Sequence, residues 1–158
     1  MSLAISSPAF SPGASIPPKY TCEGGDVAPE LRFSGIPQQA KSLALIVEDP
    51  DAPDPAAPQR TFVHWVVYDI PPDAGAIPES PHGKSLPRGA HAGANDWKRA
   101  EYGGACPPTG RHRYFFKLYA LDTKLGDLGD APKPKVLDAM KGHVLEEAQL
   151  MGTYEKRQ

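Results

Sequence analysis

The chain has 158 residues, a formal net charge of −2 and a pI near 6.2, with 19 prolines, 15 glycines and 2 cysteines. That length suits one domain, residues 1–158, able to bury a core without metal or disulfide support. The charge balance gives no footprint for nucleic acid or an anionic membrane surface. No apolar run reaches membrane-spanning length and the N-terminus lacks a signal-peptide pattern, so a cytoplasmic protein is expected.

Residues 1–40 read as irregular, with Phe10 and Ile16 as anchors and a short strand over residues 31–33. The first strong strand covers residues 42–49. Alternation places Leu43, Leu45, Val47 and Asp49 on one face, so Asp49 ends the strand on its most apolar side. A carboxylate there must be hydrogen-bonded or lie at a cleft edge, since burying it unpaired is costly. A proline-braced turn carrying Asp51 and Asp54 follows. Residues 60–70 are apolar on both faces, the pattern of a central strand, and alternation groups His64 with Phe62, Val66 and Tyr68.

Residues 71–104 read as mostly loop, a length that is usually functional in a compact domain. Within it, Asn95 or Asp96 is expected to bond local backbone while Trp97 packs its indole. Cys106-Pro107-Pro108-Thr109-Gly110 form a stiff lead into a strand beginning at His112. On that strand His112 and Tyr114 share a face, and Arg113 points the other way, toward an acid such as Asp69 or Asp122. Pro134 opens a helix with Val136, Met140, Val144 and Ala148 at helical spacing and Gly142 as a point of interruption. Residues 150–156 close the chain as a short strand carrying Tyr154. Antiparallel pairing of the three long strands would bring Asp49, His64, His112 and Tyr114 to one rim.

Cys22 and Cys106 read as reduced thiols, with a disulfide between them as the alternative. There is no CxxC pair and no clustered Cys/His pattern, so neither a metal site nor a cofactor is expected.

The segments 49–53 (Asp-Pro-Asp-Ala-Pro), 63–65 (Val-His-Trp) and 103–114 (Gly-Gly-Ala-Cys-Pro-Pro-Thr-Gly-Arg-His-Arg-Tyr) resemble, in order and spacing, the signature of phosphatidylethanolamine-binding proteins. The chain is most similar to their prokaryotic Raf-kinase-inhibitor-like (YbhB/YbcL) branch. The resemblance implies a mostly β fold, with a central antiparallel sheet packed on a smaller sheet and a peripheral C-terminal helix. It also implies a small anion pocket for phosphate-, carboxylate- or phospholipid-head-group-like ligands. By motif, the ligand-binding residues would be Asp49, Asp51, His64, Gly104, Ala105, His112 and Tyr114. The family loop often has proline at the position of Ala105. A homodimer and modulation of a protein partner, of the kinase- or protease-inhibitor kind, are further implications.

Two histidines and a tyrosine offer hydrogen bonds to an oxyanion, and the Gly104 amide could add another. Asp49 would accept from a histidine N–H and fix its tautomer. The expected function is therefore ligand binding without turnover, and no catalytic residue is assigned. The alternative is a hydrolase or lyase acting on small phosphate or carboxylate esters through Asp49, His64 and His112, with Cys106 as the only candidate nucleophile. A third reading makes residues 71–104 a protein-docking loop.

Overall fold

A computed structural model describes residues 2–156. The strands are β1 (Ala4–Ser6), β2 (Val27–Ala28), β3 (Leu31–Ser34), β4 (Ser42–Ala52), β5 (Arg60–Ile70), β6 (Ala76–Ile77), β7 (Ser80–Pro81), β8 (His91–Gly93), β9 (His112–Leu121) and β10 (Val144–Tyr154), and one helix, α1, spans Lys133–Met140. The main sheet is five-stranded and antiparallel in the order β10-β9-β4-β5-β8. A three-stranded sheet, β1-β3-β6, and the β2-β7 pair complete the strands.

The two faces of β4 and β5 are both apolar because both are covered. On one face Leu43, Leu45, Val47, Trp65 and Phe116 pack with Ile5, Leu31 and Phe33 of the small sheet and with the anchors Phe10 and Ile16. On the other, Ala44, Ile46, Val66 and Tyr68 pack with Val136 and Met140 of α1. This is the expected arrangement of a central sheet on a smaller one with a peripheral helix.

Three expectations change. The long 71–104 loop contains β6, β7 and β8, the last of which extends the main sheet beyond β5. Val144 and Ala148 do not continue the helix. It stops at Met140, Gly142 takes φ 84°, and β10 begins at Val144, six residues before the strand expected from sequence. Pairing with β9 over most of its length decides the matter, since it satisfies a backbone ladder that the helical spacing only imitates. Thirdly, Cys22 and Cys106 form a disulfide. Free thiols were expected because a cytoplasmic protein was expected, and disulfides are uncommon there; the two cysteines lie in separate loops, 84 residues apart in sequence. The fold brings those loops together, with Thr21 bridged to Ala105 and the Cys22 amide donating to the Ala105 carbonyl at 3.1 Å. Disulfides are uncommon in reducing compartments, so this pairing lends no support to the expected cytoplasmic location. No helix among the described residues is long and apolar enough to cross a membrane.

Candidate functional site

Where β4 leaves the ladder and β9 enters it, the strand ends, the Cys106–Pro108 segment and the Trp97 loop enclose a cleft of about 380 Å³. Asp49, His64, His112 and Tyr114 all line it, at the rim to which antiparallel pairing of the three long strands brings them. Asp51, Gly104 and Ala105 do not line it.

His112 is fully buried, and both its ring nitrogens are engaged. Nδ1 lies 2.5 Å from Asp49 Oδ2, and Nε2 lies 2.8 Å from the Thr109 carbonyl. A carbonyl can only accept, so Nε2 carries a proton, and the Nδ1–Oδ2 contact holds one more between its two atoms. Asp49 Oδ1 accepts the Asp51 amide at 2.7 Å. Asp49 does pair with a histidine, but that histidine is then spent. Contrary to expectation, His112 has no N–H left for a ligand.

His64 reaches the cleft through a β-bulge. Val47 faces Trp65 across the sheet and Glu48 faces Val63, which leaves His64 as the extra residue of β5. The bulge turns His64 to the same side as Trp65, so its ring meets Tyr114 at 5.3 Å, Trp97 at 5.0 Å and Phe62 at 5.3 Å. Val66 and Tyr68, grouped with His64 by strict alternation, lie on the opposite face. Nδ1 sits 2.9 Å from the Gly103 carbonyl and must donate to it, leaving Nε2 with the lone pair of the neutral ring. Burial pushes the His64 pKa below the ordinary histidine value, against the opposing pull of the Gly103 carbonyl and the Asp49 charge.

Tyr114 is 2 % exposed. Two buried side-chain polar atoms lack a hydrogen-bond partner among the described residues, Trp65 Nε1 and the Tyr114 hydroxyl, and only Tyr114 lines the cleft. Burial pushes its phenol far above the tyrosine range, Asp49's charge adds to that, and the nearby Cys106 amide opposes it only in part. The hydroxyl is thus a neutral donor without an acceptor, an arrangement that costs free energy unless something occupies the cleft.

The remaining sequence candidates hold the walls in place. Asp51 takes the Arg113 side chain in a two-pronged ion pair at 2.8 and 3.0 Å and its amide at 2.9 Å. Arg113 therefore pairs with Asp51, not with Asp69 or Asp122; β4 runs on past Asp49 alongside the incoming β9, which puts the two within reach. Gly104 directs its amide to Asp26 Oδ1 at 3.0 Å instead of to an anion. A Cβ at Gly104 would fall 2.6 Å from both Asp26 Oδ1 and the Tyr20 carbonyl, so the glycine serves close loop packing. Ala105 is buried and bridged to Thr21. Cys106 lines the cleft, but its sulfur is bonded to Cys22 and is no thiolate nucleophile.

Two further residues line the cleft that were not among the sequence candidates, Arg60 and Trp97, the latter packed as expected. Trp97 is 41 % exposed and stands at the cleft with Phe62 4.7 Å away. Its loop is fixed by Asn95, whose side chain donates to the Glu101 carbonyl at 2.8 Å and accepts from the Trp97 and Arg99 amides. A Cβ on Gly103 would come within 2.2 Å of the indole, so Gly103 lets the ring lie against the backbone. Pattern alone cannot separate a core indole from one that walls a cleft. Among the described residues no group of three or more His, Cys, Asp or Glu side chains could hold a metal ion.

A model of the phosphatidylethanolamine-binding protein family matches residues 6–155. The UPF0098 protein of Methanothermobacter thermautotrophicus is 48 % identical over 149 residues, which cover 94 % of this chain and 95 % of that protein. Among solved structures, the phosphatidylethanolamine-binding protein homologue CT736 of Chlamydia trachomatis superposes with a TM-score of 0.90 at 42 % identity, covering 99 % of each chain. YbcL of Escherichia coli, described as a member of the mammalian family, gives a TM-score of 0.88 at 32 % identity, covering 99 % of this chain and all of that one.

Proposed function

The chain belongs to the phosphatidylethanolamine-binding protein family, and from that premise we propose that the Asp49 end of the main sheet binds a small ligand bearing acceptor oxygens. Phosphate-, carboxylate- and phospholipid-head-group-like molecules are the ligand class. The observation that carries this reading is the buried Tyr114 hydroxyl, a donor with no partner among the described residues, on the wall of a cleft of about 380 Å³. His64 supplies a second group, accepting through Nε2 when neutral and donating when protonated. Asp49 and His112 form a self-satisfied pair that shapes the floor, while Asp51, Gly104 and Ala105 hold the loops that make the walls. Self-association and complex formation with a protein partner belong to the same proposal, and light scattering with and without ligand reads both.

Isothermal titration with phenyl phosphate tests the reading. Binding by the wild type that weakens about tenfold in Tyr114→Phe supports it, that being the worth of one hydrogen bond to a charged acceptor. Binding that is unchanged in both Tyr114→Phe and His64→Ala places the ligand elsewhere. Turnover of a phosphate or carboxylate ester that disappears in His64→Ala would replace binding with catalysis.

A further inference from the structure

Resting on that binding reading, the geometry points to Arg60 as the residue that meets the ligand's charge, and to an organic phosphate or carboxylate with a flat or apolar substituent as the ligand. The charges deeper in the cleft already cancel. Asp49 and His112 form one pair at 2.5 Å, and the His64 Nδ1 proton is committed to the Gly103 carbonyl. Arg60 is the one permanent cation among the described lining residues. An anion entering this cleft therefore finds its positive charge at Arg60, offset in part by the Asp96 carboxylate 3.1 Å from Nη2.

The guanidinium is held for the task. It lies 5.1 Å over the Phe62 ring, and Nη2 lies 3.1 Å from Asp96 Oδ2. The same Asp96 oxygen accepts the Val63 amide at 2.8 Å, which fixes the acid to β5. The Arg60 side chain remains 58 % exposed, and one of its five N–H groups is used by the described hydrogen bonds, so its fork can still grip a carboxylate or phosphate. Around it, Phe62, Trp97, Pro107 and Pro108 give the cleft an apolar lining that inorganic phosphate would meet without donors, whereas an aryl or alkyl substituent would bury surface there.

The test is calorimetric titration of the full chain with phenyl phosphate and with inorganic phosphate, at fixed ionic strength, on the wild type, R60Q and R60K, with thermal melts confirming that both variants are folded. The inference expects phenyl phosphate to bind more tightly than inorganic phosphate, R60Q to weaken phenyl phosphate about tenfold, and R60K to fall between, because lysine keeps the charge and loses the fork. A short-chain phosphatidylglycerol titrated in parallel separates a lipid head group from a soluble ester as the source, and Arg60-dependent binding of either supports the assignment. Unchanged affinity in R60Q, with loss in Tyr114→Phe, overturns the role of Arg60 and leaves the cleft reading standing. Failure of the wild type to bind any of the probes overturns both.

Discussion

Asp49 and His112, 63 residues apart in sequence, meet at 2.5 Å with side-chain exposures of 4 % and 0 %. The pair joins the end of β4 to the start of β9, and the Asp51 amide and Thr109 carbonyl complete its hydrogen bonds. Replacing Asp49 with Asn removes one partner of a buried pair and is expected to cost about 3 kcal/mol of folding stability. Urea denaturation measures this; a loss below about 0.5 kcal/mol, the range of an ordinary surface substitution, would show that the pair does not hold the strands.

Tyr114→Phe separates stability from function. The hydroxyl is buried without a partner, so its removal is expected to leave the unliganded protein as stable as the wild type or up to about 1 kcal/mol more so. Ligand affinity falls in the same variant. A melting temperature lowered by several degrees would mean that the hydroxyl has a protein partner after all.

The pH dependence follows from His64. Its pKa in the folded protein lies below the unperturbed value of 6.5 because of burial. As pH falls below about 6.5 the unfolded chain takes up a proton that the folded chain refuses, so stability declines by up to ~1.4 kcal/mol per pH unit until the folded pKa is reached. Above 6.5 both states are neutral at this site and the contribution is flat. His64→Gln should lack this acid-side slope, as read by denaturation midpoints from pH 7.5 to 5. An anion in the cleft favours the protonated ring, so ligand affinity should rise over the same interval in the wild type. Equal slopes in the two proteins would remove His64 as the source.

On the opposite face of the sheet, Glu48 is buried and bridged by Lys117 at 2.7 Å and by Lys133. Burial pushes its carboxyl up, and the two lysine hydrogen bonds outweigh that and hold it below the usual glutamate value of 4.5. Its stabilisation is present above 4.5 and disappears as pH falls through the lower folded value. Glu48→Gln should therefore lower stability at pH 7 by about 1–3 kcal/mol and by progressively less in acid. A deficit that persists undiminished at pH 2.5 would contradict the ion-pair origin.

The disulfide closes a loop with a sequence separation of 84 residues. Reduction, or Cys22→Ala with Cys106→Ala, is expected to lower stability by about 4 kcal/mol through the freed unfolded chain. Guanidinium midpoints with and without dithiothreitol provide the comparison. An identical midpoint would mean that the Thr21–Ala105 bridge and the Gly104–Asp26 bond suffice to hold the two loops.

The identity of β4, β5 and β9 and the central position of β5 were legible because period-two alternation and apolar runs are local properties, and antiparallel order of those three strands then brings Asp49, His64, His112 and Tyr114 to one rim. What escaped depends on contacts between distant segments. Nothing in a single strand announces that His64 occupies a bulge. The closeness of Asp26 to Gly104, and of Cys22 to Cys106, arises only once the N-terminal loop docks. Arg60 reads as the polar start of a strand until Phe62 and Asp96 are seen to hold it. Val144 and Ala148 mislead for the opposite reason: helical spacing recurs by chance where a strand follows a helix closely.

The most direct test of the central claim is nitrogen-detected NMR of the His64 ring during titration with phenyl phosphate. The binding reading expects the His64 Nε2 resonance to move in step with saturation while the His112 resonances, locked between Asp49 and Thr109, move far less, and expects the midpoint to shift to higher concentration in Tyr114→Phe. Saturable binding that leaves the His64 ring unmoved would contradict it.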